Sequence, residues 1–427
     1  MRKVRQARQV LNRLRGVTVR LPDKPTKKLV TDGAGSYYLV DASVLAASRA
    51  RCRTTHDVGE QTLARFCAAL GHEDRAATFS ALFRELGELC GARAVEEPPR
   101  WSGIGDDCSP YEFSIDVRRD GTEPRLLVEA HDEPASPLSY WNAGMRLNQW
   151  LVDHHAAHLD TFRRVQDLFE PRHSELFGVV GHGVGLGRDG RPAFKIYVNP
   201  LARDPEGDVD VVVEALTRLG YAEALDTLLA LRGPADRFSH FSLDLVAGAR
   251  ARVKVYVKHF GLTFDDVARL AGATTGAPAS EWVEFARTVL GHDRAALSER
   301  PVYTAYTMTT GRPDVIDGAT LQLPILPYLS NDLEAHERIV AVLERHELPV
   351  EAYANAVDAL RRGPLEHEQG LHSHVSYSRQ AGQPRVAVYF GSRLYVERYG
   401  WLSLDPARSW PENCWPLPAL RRGPDGG

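Results

Sequence analysis

The stretch Arg252-Val253-Lys254-Val255-Tyr256-Val257-Lys258 decides how this chain is read. Its β-branched alternation predicts a strand. Side chains at i, i+2 and i+4 of a strand share one face, so Arg252, Lys254 and Tyr256 point one way and the three valines the other. Three further stretches have the same character: Pro124-Arg125-Leu126-Leu127-Val128-Glu129, Phe194-Lys195-Ile196-Tyr197-Val198 and Arg385-Val386-Ala387-Val388-Tyr389-Phe390. A sheet with one face in water would pair cations with solvent and bury its aromatics. Tyrosines that share the cation face imply a lined polar cavity for an anion.

Working outward, strand pairs recur with a helical stretch after each. Strands fit 111–117 and 124–129, then 178–186 and 193–198, 239–246 and 252–258, 302–309 and 319–325, and 372–378 and 385–390. Helices fit 141–169, 208–231, a stretch from 263, and 331–345; 40–95 also reads as helical. The period is roughly 60–70 residues. Short connections, such as Gly187-Arg188-Asp189-Gly190, imply antiparallel hairpins. Five hairpins make ten strands, and a sheet that wide tends to curl or close. Helices after each hairpin would wrap the outside. Such a barrel is wider than one of eight strands and has room for two small molecules.

Composition sets the frame. The chain has 427 residues, enough for a large core, and 43% hydrophobic content, which is ordinary for a globular protein. A net charge of −4 disfavours nucleic acid as main partner. No apolar run reaches membrane-spanning length, and the basic N-terminus lacks the apolar core of a secretory signal. Cys52, Cys67, Cys90, Cys108 and Cys414 are odd in number and scattered, which fits a reduced, cytoplasmic setting. Residues 1–30 carry ten Lys or Arg and one acid, with Val4, Ala7, Val10, Leu11, Leu14 and Val17 on one helical face. That segment reads either as an arm for an anionic partner or as a solvated leader. The expected division is a basic, partly flexible extension over 1–40, one barrel domain over 41–410 and a flexible tail over 411–427. A monomer or homodimer is expected.

Taken in order, several segments resemble the aromatic prenyltransferases of the dimethylallyltryptophan synthase family, most closely the bacterial tryptophan-modifying members. The segments are Asp107-Cys108-Ser109-Pro110-Tyr111-Glu112-Phe113-Ser114, Arg125-Leu126-Leu127-Val128-Glu129, Lys195-Ile196-Tyr197-Val198-Asn199-Pro200, Arg252 through His259 and Val386-Ala387-Val388-Tyr389. The resemblance spans about residues 100–395. It implies an α+β fold: a ten-stranded antiparallel β-barrel ringed by helices in αββα repeats, in agreement with the five hairpins. It also implies metal-independent transfer of a dimethylallyl group from its diphosphate to an indole, tryptophan or a tryptophan derivative. No cofactor is implied, and the partners are a prenyl diphosphate and an aromatic acceptor.

The resemblance gives residues roles that suit their chemistry. Arg125, Lys195, Arg252 and Lys254 would hold the diphosphate, Arg as a planar fork and Lys as a point charge. Tyr197, Tyr256 and Tyr389 match the family's tyrosine shield, whose ring faces attract an allyl cation. Glu112 matches the acid that accepts the indole N–H. A family lysine thought to take the ring proton falls at His182 here; imidazole suits that task, and a structural histidine between Gly181 and Gly183 is the other reading. Gln322 stands where a Gln-x-Tyr pair is common. His374 stands where another tyrosine is common and shares strand parity with His372. Fewer tyrosines leave a roomier diphosphate side, so geranyl diphosphate stays open as donor. Also open are a tyrosine, phenol, indolactam or cyclic dipeptide acceptor, and a non-catalytic diphosphate-binding barrel.

Three other signals are set aside. Asp106-Asp107-Cys108-Ser109-Pro110 lacks the closing acid of a diphosphate–Mg²⁺ motif. His367, His372 and His374 resemble a metal cluster in composition, but 372–378 reads as a strand. Gly181-His182-Gly183-Val184-Gly185-Leu186-Gly187 lacks the Lys-Ser/Thr ending of a phosphate loop and fits a strand approached closely by a ligand or neighbouring backbone.

Overall fold

The computed structural model describes residues 54–395, apart from 91–92, 96, 98, 100, 108, 175, 187–189, 273–277, 292–294 and 327, together with the backbone of 18–19, 27–31 and 37–41. The proposed helical face over 4–17, most of the turn at Gly187–Gly190, Cys52, Cys108, Cys414 and the tail over 411–427 lie outside the described residues. Three short strands near the start, β1 (Thr18–Val19), β2 (Lys27–Thr31) and β3 (Tyr37–Asp41), form an antiparallel sheet. No strand was expected here, and the helical expectation over 40–95 gives way at its start, where Val40 and Asp41 end β3.

Helices α1 (Thr55–Ala69) and α2 (Glu73–Cys90) precede the barrel. Thr54 caps α1 in a reciprocal capping box with Asp57. Then come β4 (Tyr111–Arg118), β5 (Gly121–Val128), α3 (Pro137–His155), β6 (Val180–Leu186), β7 (Pro192–Val198), α4 (Asp208–Leu219) and α5 (Ala222–Leu231). The second half holds β8 (Arg237–Asp244), β9 (Arg252–His259), α6 (Phe264–Gly272), α7 (Ala279–Leu290), β10 (Val302–Thr309), β11 (Gly318–Pro324), α8 (Asp332–Arg345), α9 (Val350–Leu360), β12 (His372–Gln380) and β13 (Gln383–Phe390). Strands β4 to β13 pair antiparallel in sequence order, and β13 closes on β4 with Val386 opposite Val117 and Tyr389 opposite Ser114.

All ten barrel strands fall where the alternation placed them, within a few residues. Two of the helices do not run as far as the periodicity suggested. The stretch 141–169 is α3 followed by separate helical turns, since Ala156 takes a left-handed conformation at φ 53° after His155. Gly220, at φ 90°, splits 208–231 into α4 and α5.

Packing lies outside the barrel wall. Val198, Phe241, Val255 and Tyr306 sit side by side across β7 to β10, all fully buried beneath the helices. The valines of the opening stretch therefore face the helical shell, and the cations and tyrosine face the barrel axis. Helix α3 crosses β6 at close range: a Cβ on Gly144 would lie 2.5 Å from Val180 Cγ1. Several polar side chains on this outer face are paired locally. His259 Nδ1 lies 2.6 Å from Asp236 Oδ2, and its Nε2 lies 2.7 Å from Thr304 Oγ1.

His372 repeats that theme. Its ring lies 2.9 Å from Asp332 Oδ1 and 2.9 Å from the Tyr353 hydroxyl, and the N–H groups of Leu371 and His372 donate to the same carboxylate. A register shift between His372 and His374 then sends the two rings to opposite faces, which corrects the shared parity expected for them. Asp332, 1% exposed, thus pins β12 to α8 with three hydrogen bonds. Asp332→Ala is expected to cost about 3–5 kcal/mol of unfolding free energy, as for removal of one member of a buried polar network. Denaturant titration reads this, and a cost below about 1 kcal/mol would contradict it.

Candidate functional site

The inward faces of the ten strands enclose a cavity of about 680 Å³. Of the residues singled out in the sequence, Glu112, Arg125, Lys195, Tyr197, Arg252, Lys254, Tyr256, Gln322, His374 and Tyr389 line it. They come from seven strands, each projecting one to three polar groups at inward parity. Strand β6 contributes almost nothing but room. A Cβ at Gly183 would meet the Tyr197 ring at 3.0 Å, and one at Gly185 would meet Glu123 Oε1 at 2.8 Å. The glycine-rich stretch is therefore a thin wall against which inward side chains lie.

One end of the cavity is cationic. Arg118, Arg125 and Arg385 all close on Asp116, a fully buried carboxylate. Arg125 Nη2 lies 2.5 Å from Asp116 Oδ2, and Arg385 Nε lies 2.5 Å from Oδ1. Burial alone would raise the Asp116 pKa; the three guanidinium groups outweigh it and hold the carboxyl well below its usual range. Asp244 plays the same part on the other side, with Arg252 Nε at 2.7 Å and Lys195 Nζ at 3.6 Å. Lys254 makes no ion pair among the described residues. Burial, with Lys195, Arg252 and Arg385 nearby, pushes its ammonium pKa well down. Burial, with Arg252, Arg125 and Arg385 nearby and Asp244 opposing, brings Lys195 down to about 7. This is a site with more positive charge than its own carboxylates neutralise.

Three tyrosines border that end. The Tyr197 and Tyr256 rings lie 6.0 Å apart at 54° and their hydroxyls are hydrogen-bonded. Burial pushes the Tyr197 phenol up to about 12 and raises Tyr256 and Tyr389 as well, so all three remain neutral donors at physiological pH. At the other end Glu112 accepts a 2.7 Å hydrogen bond from the Ser373 hydroxyl. Burial raises its carboxyl to about 8 against the pull of that bond. Tyr111 and Phe113 point the opposite way, into the helical layer.

The strand alternation pointed to more residues than were named from sequence. Lys258 and Arg385 also line the cavity, on the parity of Arg252 and Tyr389 respectively. Arg300 and Asp106 line it too, from loops separated by 194 positions, and no periodic signal marks them. Among the described residues no group of three or more His, Cys, Asp or Glu side chains is placed to hold a metal. His372 and His374 sit on opposite sides of the wall.

His182 is corrected from a catalytic candidate to a residue of the barrel's outer layer. Gly181 and Gly183 occupy the inward parity of β6, which turns His182 outward, fully buried, with Nε2 2.9 Å from Asn148 Oδ1 on α3. Burial pushes its pKa down to about 3, so it is a neutral ring fixed between strand and helix. His182→Gln is expected to lose about 1–3 kcal/mol of stability from the disturbed buried hydrogen bond. Turnover per folded molecule should stay within about threefold of the parent, about 0.6 kcal/mol of barrel-wall adjustment at most. A loss of about a thousandfold at saturating substrates would return the proton-acceptor role to His182.

Comparison with known proteins fits this geometry. The family model described as tryptophan dimethylallyltransferase matches residues 82–356. The structure is similar to 6-dimethylallyltryptophan synthase from Micromonospora olivasterospora, solved in complex with DMASPP and Trp, at 30% identity and a TM-score of 0.73, covering 81% of this chain and 99% of that one. It is similar to 5-dimethylallyltryptophan synthase from Streptomyces coelicolor at 27% identity and a TM-score of 0.73, with the same coverage. AnaPT from Neosartorya fischeri, at 16% identity and a TM-score of 0.62, shares the fold. The chain belongs to the tryptophan dimethylallyltransferase family and is an aromatic prenyltransferase.

Proposed function

We propose that this chain transfers a dimethylallyl group from dimethylallyl diphosphate to the indole of tryptophan or a tryptophan-derived acceptor, with protein cations doing the work a metal does elsewhere. The observation that carries this is the charge balance of the cationic end. Among the described residues, Arg118, Arg125, Lys195, Arg252 and Arg385 pair with Asp116, Glu123 and Asp244, and Lys254 adds a sixth cation. Fully ionised, that leaves an excess of three positive charges, and a diphosphate leaving group carries about three negative ones. The cations stabilise charge that grows as the C–O bond breaks. The faces of Tyr197, Tyr256 and Tyr389 screen the allyl cation, each worth about 0.5–2 kcal/mol. Glu112 accepts the indole N–H, which orients the ring and supports the positive charge it gains on attack; the proton then lost from the attacked ring carbon passes to the departing diphosphate, a base released in the same reaction. Gln322 and His374 line the space between. A reduced, cytoplasmic setting belongs to the same reading, supported by Cys67, a buried free thiol whose pKa burial pushes to about 12.

Lys254→Ala is expected to cut kcat/KM for the donor by at least about a hundredfold, as loss of an electrostatic clamp does. Its melting temperature should be equal or higher, because the variant removes a like-charge neighbour of Lys195 and Arg252. Full turnover in this variant with EDTA present would remove the diphosphate assignment. Glu112 gives a pH signature. Its carboxyl titrates near 8 and the N–H acceptor is the ionised form, so acceptor kcat/KM at saturating donor should rise with pH and level off above about 8. Glu112→Gln should abolish that rising limb and lower turnover. A non-catalytic diphosphate carrier would bind pyrophosphate equally well in both forms and yield no prenylated product from any indole acceptor.

A further inference from the structure

The cationic end of the cavity holds one carboxylate that its cations can do without. Asp116 on β4 and Glu123 on β5 stand directly opposite each other in the strand register. Like charges so placed repel, and Arg118 and Arg125 bridge them. Arg118 Nη2 lies 2.8 Å from Glu123 Oε2 and also beside Asp116 Oδ2. Arg125 Nε lies 3.3 Å from Glu123 Oε1, while its Nη2 lies 2.5 Å from Asp116 Oδ2. The two acids are held differently. The Asp116 side chain is fully buried and has a third partner in Arg385. The Glu123 side chain is 26% exposed and, among the described residues, pairs with Arg118 and Arg125 alone.

Withdrawing Asp116 would strip three guanidinium groups of a shared partner, which is costly in a buried place. Withdrawing Glu123 leaves Arg118 and Arg125 still paired with Asp116. It also frees Arg125 Nε and an Arg118 N–H inside a cavity that both residues line with Lys195 and Lys254. Guanidinium N–H groups released from a carboxylate suit a phosphate oxygen equally well. We propose that Glu123 is a displaceable counter-ion: in the free enzyme it holds the place of a diphosphate oxygen on Arg118 and Arg125, the donor expels it, and it returns to compete with the product diphosphate. This rests on the proposed diphosphate chemistry and deepens it. Arg118 joins the groups that grip the diphosphate, and Glu123 is a positioning residue that loosens the grip. A strongly cationic chamber would otherwise retain its product. A carboxylate that occupies the seat lowers the apparent affinity in proportion to the time it spends there. Strand β6 leaves it the space, since a Cβ at Gly185 would lie 2.8 Å from Glu123 Oε1.

Calorimetry with inorganic pyrophosphate tests this without acceptor or turnover, on the wild type, Glu123→Gln and Glu123→Asp. Gln keeps the shape and removes the charge. Asp keeps the charge and draws it back from the arginines by one methylene. Glu123→Gln is expected to bind pyrophosphate at least about fivefold more tightly than the wild type, and Glu123→Asp at least about twofold. In turnover assays the KM for dimethylallyl diphosphate and the inhibition constant of pyrophosphate should fall by similar factors, with no rise in kcat. Equal affinity in Glu123→Gln and the wild type overturns the inference and leaves the diphosphate assignment standing. A gain in Glu123→Gln with none in Glu123→Asp reduces Glu123 to a distant negative charge and also overturns it. Where either variant does not fold, Gly185→Ala replaces it, because the added methyl presses on Glu123 Oε1 and keeps every charge. That variant should tighten pyrophosphate binding at least about twofold, and unchanged or weaker binding overturns the inference. If none of the proteins binds pyrophosphate, the diphosphate assignment falls and this inference falls with it.

Discussion

Everything in the cationic end depends on two carboxylates, the fully buried Asp116 and the half-buried Asp244. A guanidinium or ammonium taken out of water is costly unless paired. Asp116 pairs Arg118, Arg125 and Arg385, and Asp244 pairs Arg252 and Lys195. Five cations can therefore occupy one enclosed space before any ligand arrives. Their tethers also fix where each points, because a carboxylate shared by three guanidinium groups leaves little freedom to any of them. Lys254 sits outside both clusters and pays with a depressed pKa. The site thus combines preorganised charge, which needs no rearrangement during bond cleavage, with one unpaired group whose charge a bound anion would restore.

The barrel makes this tolerable by reversing the usual division of labour in a sheet. Its apolar face points outward under helices, and its polar face points inward. Closure removes the edges, and the helical shell supplies the burial that stabilises the wall. Several polar groups on the outer face join a strand to its neighbour. His182, His259 and His372 each sit between strand and helix with a partner on the adjoining element or strand. These histidines act as fasteners, which explains how a ring at a position suited to proton transfer by sequence spacing can be purely architectural.

Sequence alternation made the barrel legible because a period of two carries strand, face and closure together. It made Arg125, Lys195, Arg252, Lys254 and the tyrosines legible for the same reason. Its limits are equally physical. His182 could not be assigned from spacing, since shifting by one residue on a strand exchanges inside for outside. The glycines on either side were the clue: they occupy the inward parity, so the histidine between them cannot. His372 and His374 misled in the opposite way, because a bulge breaks the alternation without leaving a mark in composition. Arg300 and Asp106 lie on loops and meet only through the closed fold. Strands β1 to β3 are two to five residues long, too short for a period of two to stand out.

The thin wall of β6 completes the logic of the chamber. Opposite a face crowded with long cations and phenols, Gly181, Gly183 and Gly185 supply no side chain at all. A Cβ at Gly181 would meet Ile104 at 2.9 Å, from the same loop that carries Asp106. The glycines therefore let that loop fold inward across one end while Tyr197 lies against the strand farther along. A methyl group at Gly181 would press on the Ile104 side chain, and one at Gly183 on the Tyr197 ring. Room inside the barrel thus comes in part from one strand that presents glycine at three inward positions.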